Sequence, residues 1–238
     1  VRPMRRRSAS DLEQAQRRLA ELRRELEGRA GWLPRAPVKP IDAYFAIASY
    51  VEQMRAFAVR QQIAVRPEER FGFASYANEG PEPDVLPAVH RQRVVAQHVL
   101  EALFEARPRA LVAVLRERPK PNERATMAST NSPSRSSAPA RDLFVPDARL
   151  QLRLPGLIDG SAMRVEFTGQ TQTLRAFLNT LSRHALPVFV RSVEVEPLPM
   201  TLEGGELMEG TPVPLIKNNI SKFAVTLEYV DVLPAPSI

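Results

Sequence analysis

One pattern that occurs twice constrains the fold of this chain more than any other feature of its sequence: a helix, a strand, a proline-rich excursion and a returning strand. The first strand of each copy, ALVAVLRERPKP from Ala110 and VFVRSVEVEPLP from Val188, is apolar, becomes charged and ends at prolines. The returning strands, MRVEFTG and FAVTLEYV, alternate apolar and polar residues, as strands with one buried face do. Two such units predict an α+β fold, in which a four-stranded antiparallel sheet carries both helices on one face, a ferredoxin-like arrangement permuted to αββαββ.

The same pattern divides the chain into three predicted parts. Residues 1–40 are predicted to form a basic coiled-coil helix and a proline-rich connector, and residues 41–83 a helix with a short extended segment. Residues 84–238 are predicted to form the permuted ferredoxin-like domain. Within it, residues 119–140 are rich in Ser, Pro and Ala and are predicted to be a disordered excursion. Residues 197–220 are predicted to form a second long loop.

A short heptad repeat near the N-terminus indicates a contact with another chain. Ser10-x-x-Glu13 is a capping box that predicts where the helix begins. Apolar residues follow at the a and d positions of a coiled coil: Leu12, Ala15, Leu19, Leu22 and Leu26. Fewer than three heptads are marginal in isolation. We therefore expect this seam to need a partner chain or further helix upstream, and the alternative is a helix that packs on its own domain.

The positive charge of the chain is confined to the N-terminal segment. The formal net charge is +6, and residues 1–40 account for all of it, so the remaining residues are neutral as a whole. A basic segment of this kind could contact nucleic acid or anionic lipid. The strands carry none of the stacked aromatic and basic residues of an RNA-binding sheet, so nucleic-acid binding through the Arg-rich N-terminus is kept only as an alternative.

The motifs that carry catalysis or bind cofactors are missing from the sequence. Without cysteine there is no disulfide framework, thiolate zinc site or Cys nucleophile. His90 and His98 lie on one predicted helix but are more than two turns apart, too far to chelate one metal. No phosphate-binding loop or nucleophile elbow occurs. We predict no catalytic, cofactor-binding or metal-binding residues, and hence no enzyme. The sheet edges, the excursions and the heptad helix are expected instead to be surfaces that contact other protein chains.

Acidic residues on the predicted strands suggest a paired sheet face rather than acid–base catalysis. They alternate with apolar residues, and Arg164 and Arg191 are their expected neighbours. The acidic set comprises Glu166, Glu194, Glu196 and Glu228.

The order of parts resembles a known family. The segments MRVEFTGQTQTLRAFLNTLSRHALPVFVRSVEVEPLPM and VPLIKNNISKFAVTLEYVDVLPAP resemble the PilO/GspM-like assembly proteins of type IV pili and type II secretion, and more closely the Verrucomicrobia-type pilus-associated envelope proteins. The resemblance implies a non-enzymatic scaffold without cofactors. It further implies a homodimer, or a heterodimer with a related coiled-coil and ferredoxin-like subunit, and contacts with other pilus or secretion machinery proteins.

The same resemblance implies a location on the periplasmic side of the cell envelope. No apolar run in the sequence is long enough to span a membrane, so we expect anchoring by an N-terminal transmembrane helix that has been removed. A small-molecule-sensing ferredoxin-like domain remains the other alternative function. It predicts a defined ligand pocket.

Overall fold

A computed structural model of the chain describes residues 10–21, 24, 34, 36–120, 141–154, 158–183, 186–198 and 220–232. Four α-helices and five strands lie in these residues. The helices are α1 (residues 10–21), α2 (Pro40–Arg60), α3 (Leu86–Glu105) and α4 (Thr171–Arg183). The strands are β1 (Ala110–Glu117), β2 (Leu143–Phe144), β3 (Ile158–Gln170), β4 (Val188–Pro197) and β5 (Ile220–Val232). No helix among the described residues is both long and apolar enough to cross a membrane.

The sheet has five strands in the order β2-β1-β3-β5-β4. β1, β3, β5 and β4 are antiparallel neighbours, which are the four strands that the repeated pattern predicts. The prediction of a purely antiparallel, four-stranded sheet is wrong in one respect, because β2 adds a short parallel strand at the β1 edge. Only two residues of β2 pair, through Arg116 with Leu143 and Glu117 with Phe144, so alternation along the sequence gives no signal for it.

The two central strands are longer than the predicted segments. β3 and β5 pair residue by residue from Ile158 opposite Val232 to Gln170 opposite Ile220. Pairing of this length brings Ile220 into β5, and Pro197 belongs to β4, so the predicted loop 197–220 is shorter at both ends. Residues 199–219, and residues 121–140 of the predicted disordered excursion, lie outside the described residues.

A single hydrophobic cluster joins one face of the sheet to the helices. Phe167 of β3 packs on Phe223 of β5 and, edge to face, on Phe177 of α4, with ring centroids 5.4 and 5.8 Å apart. Phe104 of α3 makes a similar edge-to-face contact with Phe57 of α2 at 5.8 Å. The apolar faces predicted from the 3.6-residue period on the helices and the two-residue period on the strands therefore meet in one core.

The core contains a buried arginine, Arg116, whose burial could not be predicted from the residues next to it in the sequence. Arg116 occupies a core-facing position of β1 and is 3% exposed. Its guanidinium donates to the Gly72 carbonyl at 2.6 Å, to Gln92 Oε1 at 3.1 Å and to Ser75 Oγ at 2.7 Å. The charge is balanced by Asp142, also 3% exposed, at 3.4 Å. This cluster joins the residues that precede β2 to α3 and to the loop before it.

The rings of Phe73 and Tyr76 complete the surroundings of this guanidinium. Their centroids lie 5.0 and 4.9 Å from Cζ of Arg116, in the range of cation–π contacts. Gly72 has φ of +89°, a backbone conformation that favours glycine. A Cβ at this position would also approach Val114 Cγ1 to 3.1 Å. The loop therefore needs glycine where its carbonyl meets the arginine.

Candidate protein-interaction surfaces

The predicted seam lies on an exposed helix. Every residue from 10 to 21 is helical and exposed, including Leu12 at 60% and Leu19 at 43%. Spacings of three and four residues place Leu12, Ala15 and Leu19 on one face of α1. Leu22 and Leu26, the other two predicted seam residues, lie outside the described residues.

An apolar stripe on the edge strand β4 forms a second exposed surface. Val190 and Val193 lie opposite Leu227 and Val225 of β5, so they lie on the sheet face that forms the core. Leu227 and Val225 are fully buried, whereas Val190 is 43% exposed, Val193 37% and Val195 56%. The helix α4 lies over β3 and β5, and the stripe on β4 is left open.

The backbone of β4 is also open on one side. Within the described residues β4 is the last strand of the sheet and pairs only with β5. An unpaired strand edge presents N–H and C=O groups that another strand can complete. The register shifts between Val190 and Ser192, and such a bulge is one of the features by which edge strands limit non-specific pairing. A contact through a sheet edge was predicted from the sequence, but not which strand forms that edge, although the alternating valines on both sides of Arg191 are a signal for it.

The opposite, outward face of the sheet is covered with ion pairs. Arg164 of β3 donates to both carboxylate oxygens of Glu194, at 2.7 and 2.8 Å, and to Glu166 Oε1 at 3.1 Å. Lys222 lies 2.9 Å from the other oxygen of Glu166. The predicted pairing is thus confirmed for Glu166 and Glu194, and Arg164, Glu166 and Glu194 are all engaged in ion pairs.

The ion pairs shift the pKa values of these groups in the direction that keeps them charged. The hydrogen bonds from Arg164 lower the pKa of the Glu194 carboxyl. Burial acts to raise the pKa of Glu166, but hydrogen bonds from Lys222 and Arg164 outweigh it and the pKa is lowered. The hydrogen bond with Glu194 is the main cause that raises the pKa of Arg164. All of these groups are ionised at neutral pH, which is the state expected of a structural network rather than a proton-transfer site.

Glu228 differs from the predicted solvated face because it is 1% exposed. Arg191 Nε donates to its Oε2 at 2.7 Å, and the backbone N–H of Leu152 donates to the same oxygen at 3.0 Å. The carboxylate therefore joins β5, the edge strand β4 and the segment that follows β2. This burial depends on where residues 145–154 cross the sheet, which local sequence does not reveal.

The two histidines that the structure describes each lie within hydrogen-bonding distance of a backbone carbonyl. His90 Nε2 lies 3.0 Å from the carbonyl of Pro34, which ties the proline-rich connector to α3. Burial lowers the pKa of His90. His98 Nδ1 lies 2.8 Å from the carbonyl of Val94 on its own helix. Among the described residues no group of three His, Cys, Asp or Glu side chains could hold a metal ion.

Comparison with known proteins identifies a family and a fold. A family model described as pilus-like matches residues 9–197. Among solved structures, the chain is similar to the core domain of a protein from Akkermansia muciniphila, with 10% identity and a TM-score of 0.60 over 85% of this chain and 93% of that one. A structure from the same organism, solved without its transmembrane region, has 11% identity and a TM-score of 0.57 over 85% and 91% of the two chains. At these identities the similarity shows the fold alone.

A further solved structure is less similar to this chain. The type 4 fimbrial biogenesis protein PilO from Pseudomonas aeruginosa has 9% identity and a TM-score of 0.35, over 76% of this chain and 99% of that one. We draw no argument from a score of this size. A search of curated proteins finds no match.

Proposed function

The chain belongs to the pilus-like protein family, and from this membership we propose that it is a non-enzymatic scaffold subunit of a type IV pilus or type II secretion assembly platform in the cell envelope. The family match confirms the pilus-associated resemblance. The scaffold role, the periplasmic location and the removed N-terminal anchor are our proposals. These three proposals rest on the resemblance to the assembly proteins of pili and type II secretion.

The observation that carries the scaffold role is the fully exposed helix α1. A helix with every residue exposed gains no stability from packing on its own domain and is marginal in isolation. Leucines at 60% and 43% exposure would become buried in a two-chain seam, at about 1.5–3 kcal/mol for each fully buried side chain. We therefore propose that residues 12–26 form a coiled coil with a second copy, or with a related coiled-coil subunit.

We propose the open edge of β4 as a second contact within the assembly. Its inward face offers three valines and its outer edge offers unpaired backbone groups, the combination that strand addition uses. The bulge near Arg191 restricts which partner strand fits this edge. The ferredoxin-like part of the chain would then join neighbouring subunits through their sheets, while α1 sets which chains meet.

The test separates the two surfaces by light scattering on the full chain. The variant Leu12→Glu with Leu19→Glu introduces two charges into the seam. The control, Gln14→Glu with Ala20→Glu, adds the same two charges to outward heptad positions of the same exposed helix. We expect the seam variant to lose self-association or partner binding and the control to retain it, with unchanged thermal unfolding of the body in both.

A third variant, Val193→Lys, tests the edge strand in the same assay. If the seam variant associates as the wild type does while Val193→Lys dissociates, the interface lies on β4 and the coiled-coil proposal is wrong. If both variants and the wild type have the same mass, and no related subunit from the same source binds the wild type, the scaffold role is refuted.

A further inference from the structure

A groove on the outward face of the sheet has no part in the proposed scaffold contacts. It has a volume of about 310 Å³, whereas the cavity beside Arg116 holds about 10 Å³, room for a single water. Its floor consists of Ala162 of β3, Thr226 of β5 and Ser192 of β4. One wall is the segment after β2, from Phe144 to Asp147. A volume of this size lies at the lower end of the range for small-molecule sites, about 300–1,000 Å³.

Most of the charged groups that line the groove are paired with one another. Arg164 is engaged by both oxygens of Glu194, and Arg191 by the buried carboxylate of Glu228. With Asp147, the lining holds three carboxylates and two guanidinium groups, a formal charge of −1. The formal charge does not favour an anion. Nη2 of Arg191 is buried without a hydrogen-bond partner among the described residues, so the lining also offers one unpaired donor.

Uncharged groups in the groove both donate and accept hydrogen bonds. Ser192 and Thr226 lie opposite each other across β4 and β5, and both residues line the groove. The side-chain amide of Gln151 donates to the carbonyl of Pro146 at 3.3 Å, which leaves its oxygen available as an acceptor. Two hydroxyls and an amide oxygen are thus presented to any occupant.

The wall of the groove is apolar and exposed. Val145 is 94% exposed, with Phe144 and Pro146 on either side of it. An exposed valine between two further apolar residues is not needed for the core, and all three residues line the groove together with Ser192 and Thr226. The groove therefore combines a C–H surface on one side with mixed donors and acceptors on the other.

We propose that this groove binds an uncharged saccharide. Each sugar hydroxyl donates one hydrogen bond and accepts others, which matches Ser192, Thr226 and Gln151. The apolar C–H face of a sugar ring matches the wall at Val145. The paired arginines and carboxylates supply further fixed hydrogen-bonding groups without favouring a charged ligand. This binding activity goes beyond the scaffold role and does not depend on it.

The experiment is an NMR titration of the isotope-labelled full chain with three neutral disaccharides, maltose, cellobiose and lactose, at millimolar concentration. At least one is expected to cause saturable shifts of the backbone amides at Ser192, Thr226 and Val145. The variant Thr226→Val keeps the shape of the side chain, removes the hydroxyl, and is expected to weaken binding about fivefold. The control, Thr168→Val, changes the same residue type on the same face of the sheet but outside the groove lining, and should leave the affinity unchanged.

A second variant keeps the test decisive if Thr226→Val disturbs the sheet. Val145→Asp alters a side chain that is almost fully exposed, so it should fold as the wild type does and lose the saccharide shifts. The proposal is overturned if none of the three disaccharides causes saturable shifts, or if both variants bind as the wild type does. Saturable shifts at the groove with sodium sulfate, and none with the sugars, would assign an anion site instead and would equally overturn it.

Discussion

Replacement of Asp142 by alanine should destabilise the fold of this protein, although the residues that Asp142 contacts are far from it along the chain. Its Oδ2 accepts hydrogen bonds from the backbone N–H of Ser75 at 3.1 Å, from Ser75 Oγ at 2.7 Å and from Arg116 at 3.4 Å. Both charged residues are 3% exposed. The substitution removes the only carboxylate that the structure places beside this buried guanidinium among the described residues.

The expected magnitude follows from the partners that remain. Removal of one member of a buried ion pair costs about 3–5 kcal/mol, because the other charge stays buried without compensation. Arg116 keeps three neutral hydrogen bonds and two aromatic faces, so we expect the lower end, about 3 kcal/mol. For a chain of this size that corresponds to a fall in melting temperature of roughly 6–12 °C.

The assay is urea unfolding of the full chain followed by circular dichroism, with three comparison variants. Asp142→Asn keeps an acceptor oxygen, so its free energy of unfolding should fall by less than that of the alanine variant. Arg116→Met with Asp142→Ala removes both charges and should be no less stable than Asp142→Ala alone, because apolar replacement of a buried pair is often neutral. Asp147→Ala, an exposed aspartate that accepts only from the backbone of Arg149, should change stability by less than about 1 kcal/mol.

Two results would refute this reasoning. In the first, the free energy of unfolding falls no further for Asp142→Ala than for Asp147→Ala. This would mean that the buried pair of Arg116 and Asp142 does not hold the segment before β2 against the rest of the fold. The other is a double variant much less stable than Asp142→Ala, which would mean that Arg116 stabilises the fold mainly through its neutral contacts.

Three further predictions concern the sheet and its core. The lowered pKa values of Glu166 and Glu194 stabilise the fold above the pKa of an unfolded glutamate, about 4.3, and this stabilisation is lost as pH falls through the folded values. Arg164→Met should therefore flatten the acid limb of a stability–pH curve, and an unchanged limb would contradict the assigned ion pairs. Burial raises the pKa of Tyr229 to about 12, so an ultraviolet titration compared with Tyr229→Phe should show its phenolate appearing after those of ordinary tyrosines. Phe177→Ala should cost about 3–5 kcal/mol in urea unfolding, because the ring is fully buried against Phe167; a cost below about 1 kcal/mol would mean that α4 is not packed on the sheet.

Much of the architecture could be predicted because it depends on short-range periodicity. The helix predicted from Ile41, the strand predicted over residues 110–117 and the last strand around Val225 are all found in the structure. Each has a buried face that repeats at the period of its own backbone geometry. The alternation in MRVEFTG and FAVTLEYV also puts Phe167, Phe223 and Tyr229 on the apolar faces of their strands, and the structure finds all three buried.

The missed features depend on contacts between residues that are distant in sequence. β2 has two paired residues, too few to carry a period. Arg116 is buried only because Asp142 meets it 26 residues later, and Glu228 only because Leu152 crosses above it from 76 residues earlier. In the sequence each of these charged residues has the pattern of a solvated position, since its partner is not local.

The sequence by itself therefore determined which segments are helix and strand and which of their faces are apolar. It also showed that leucines recur at heptad spacing in the first helix and that no recognisable catalytic or metal-binding motif occurs. Only the tertiary structure decided which strand stands at the edge, that the valines of β4 are left uncovered, and that a groove forms between the outward sheet face and the segment after β2. The physical reason is that periodicity is a property of the local backbone. Coverage of a surface depends instead on how far each helix and loop extends across a sheet that is assembled from the whole chain.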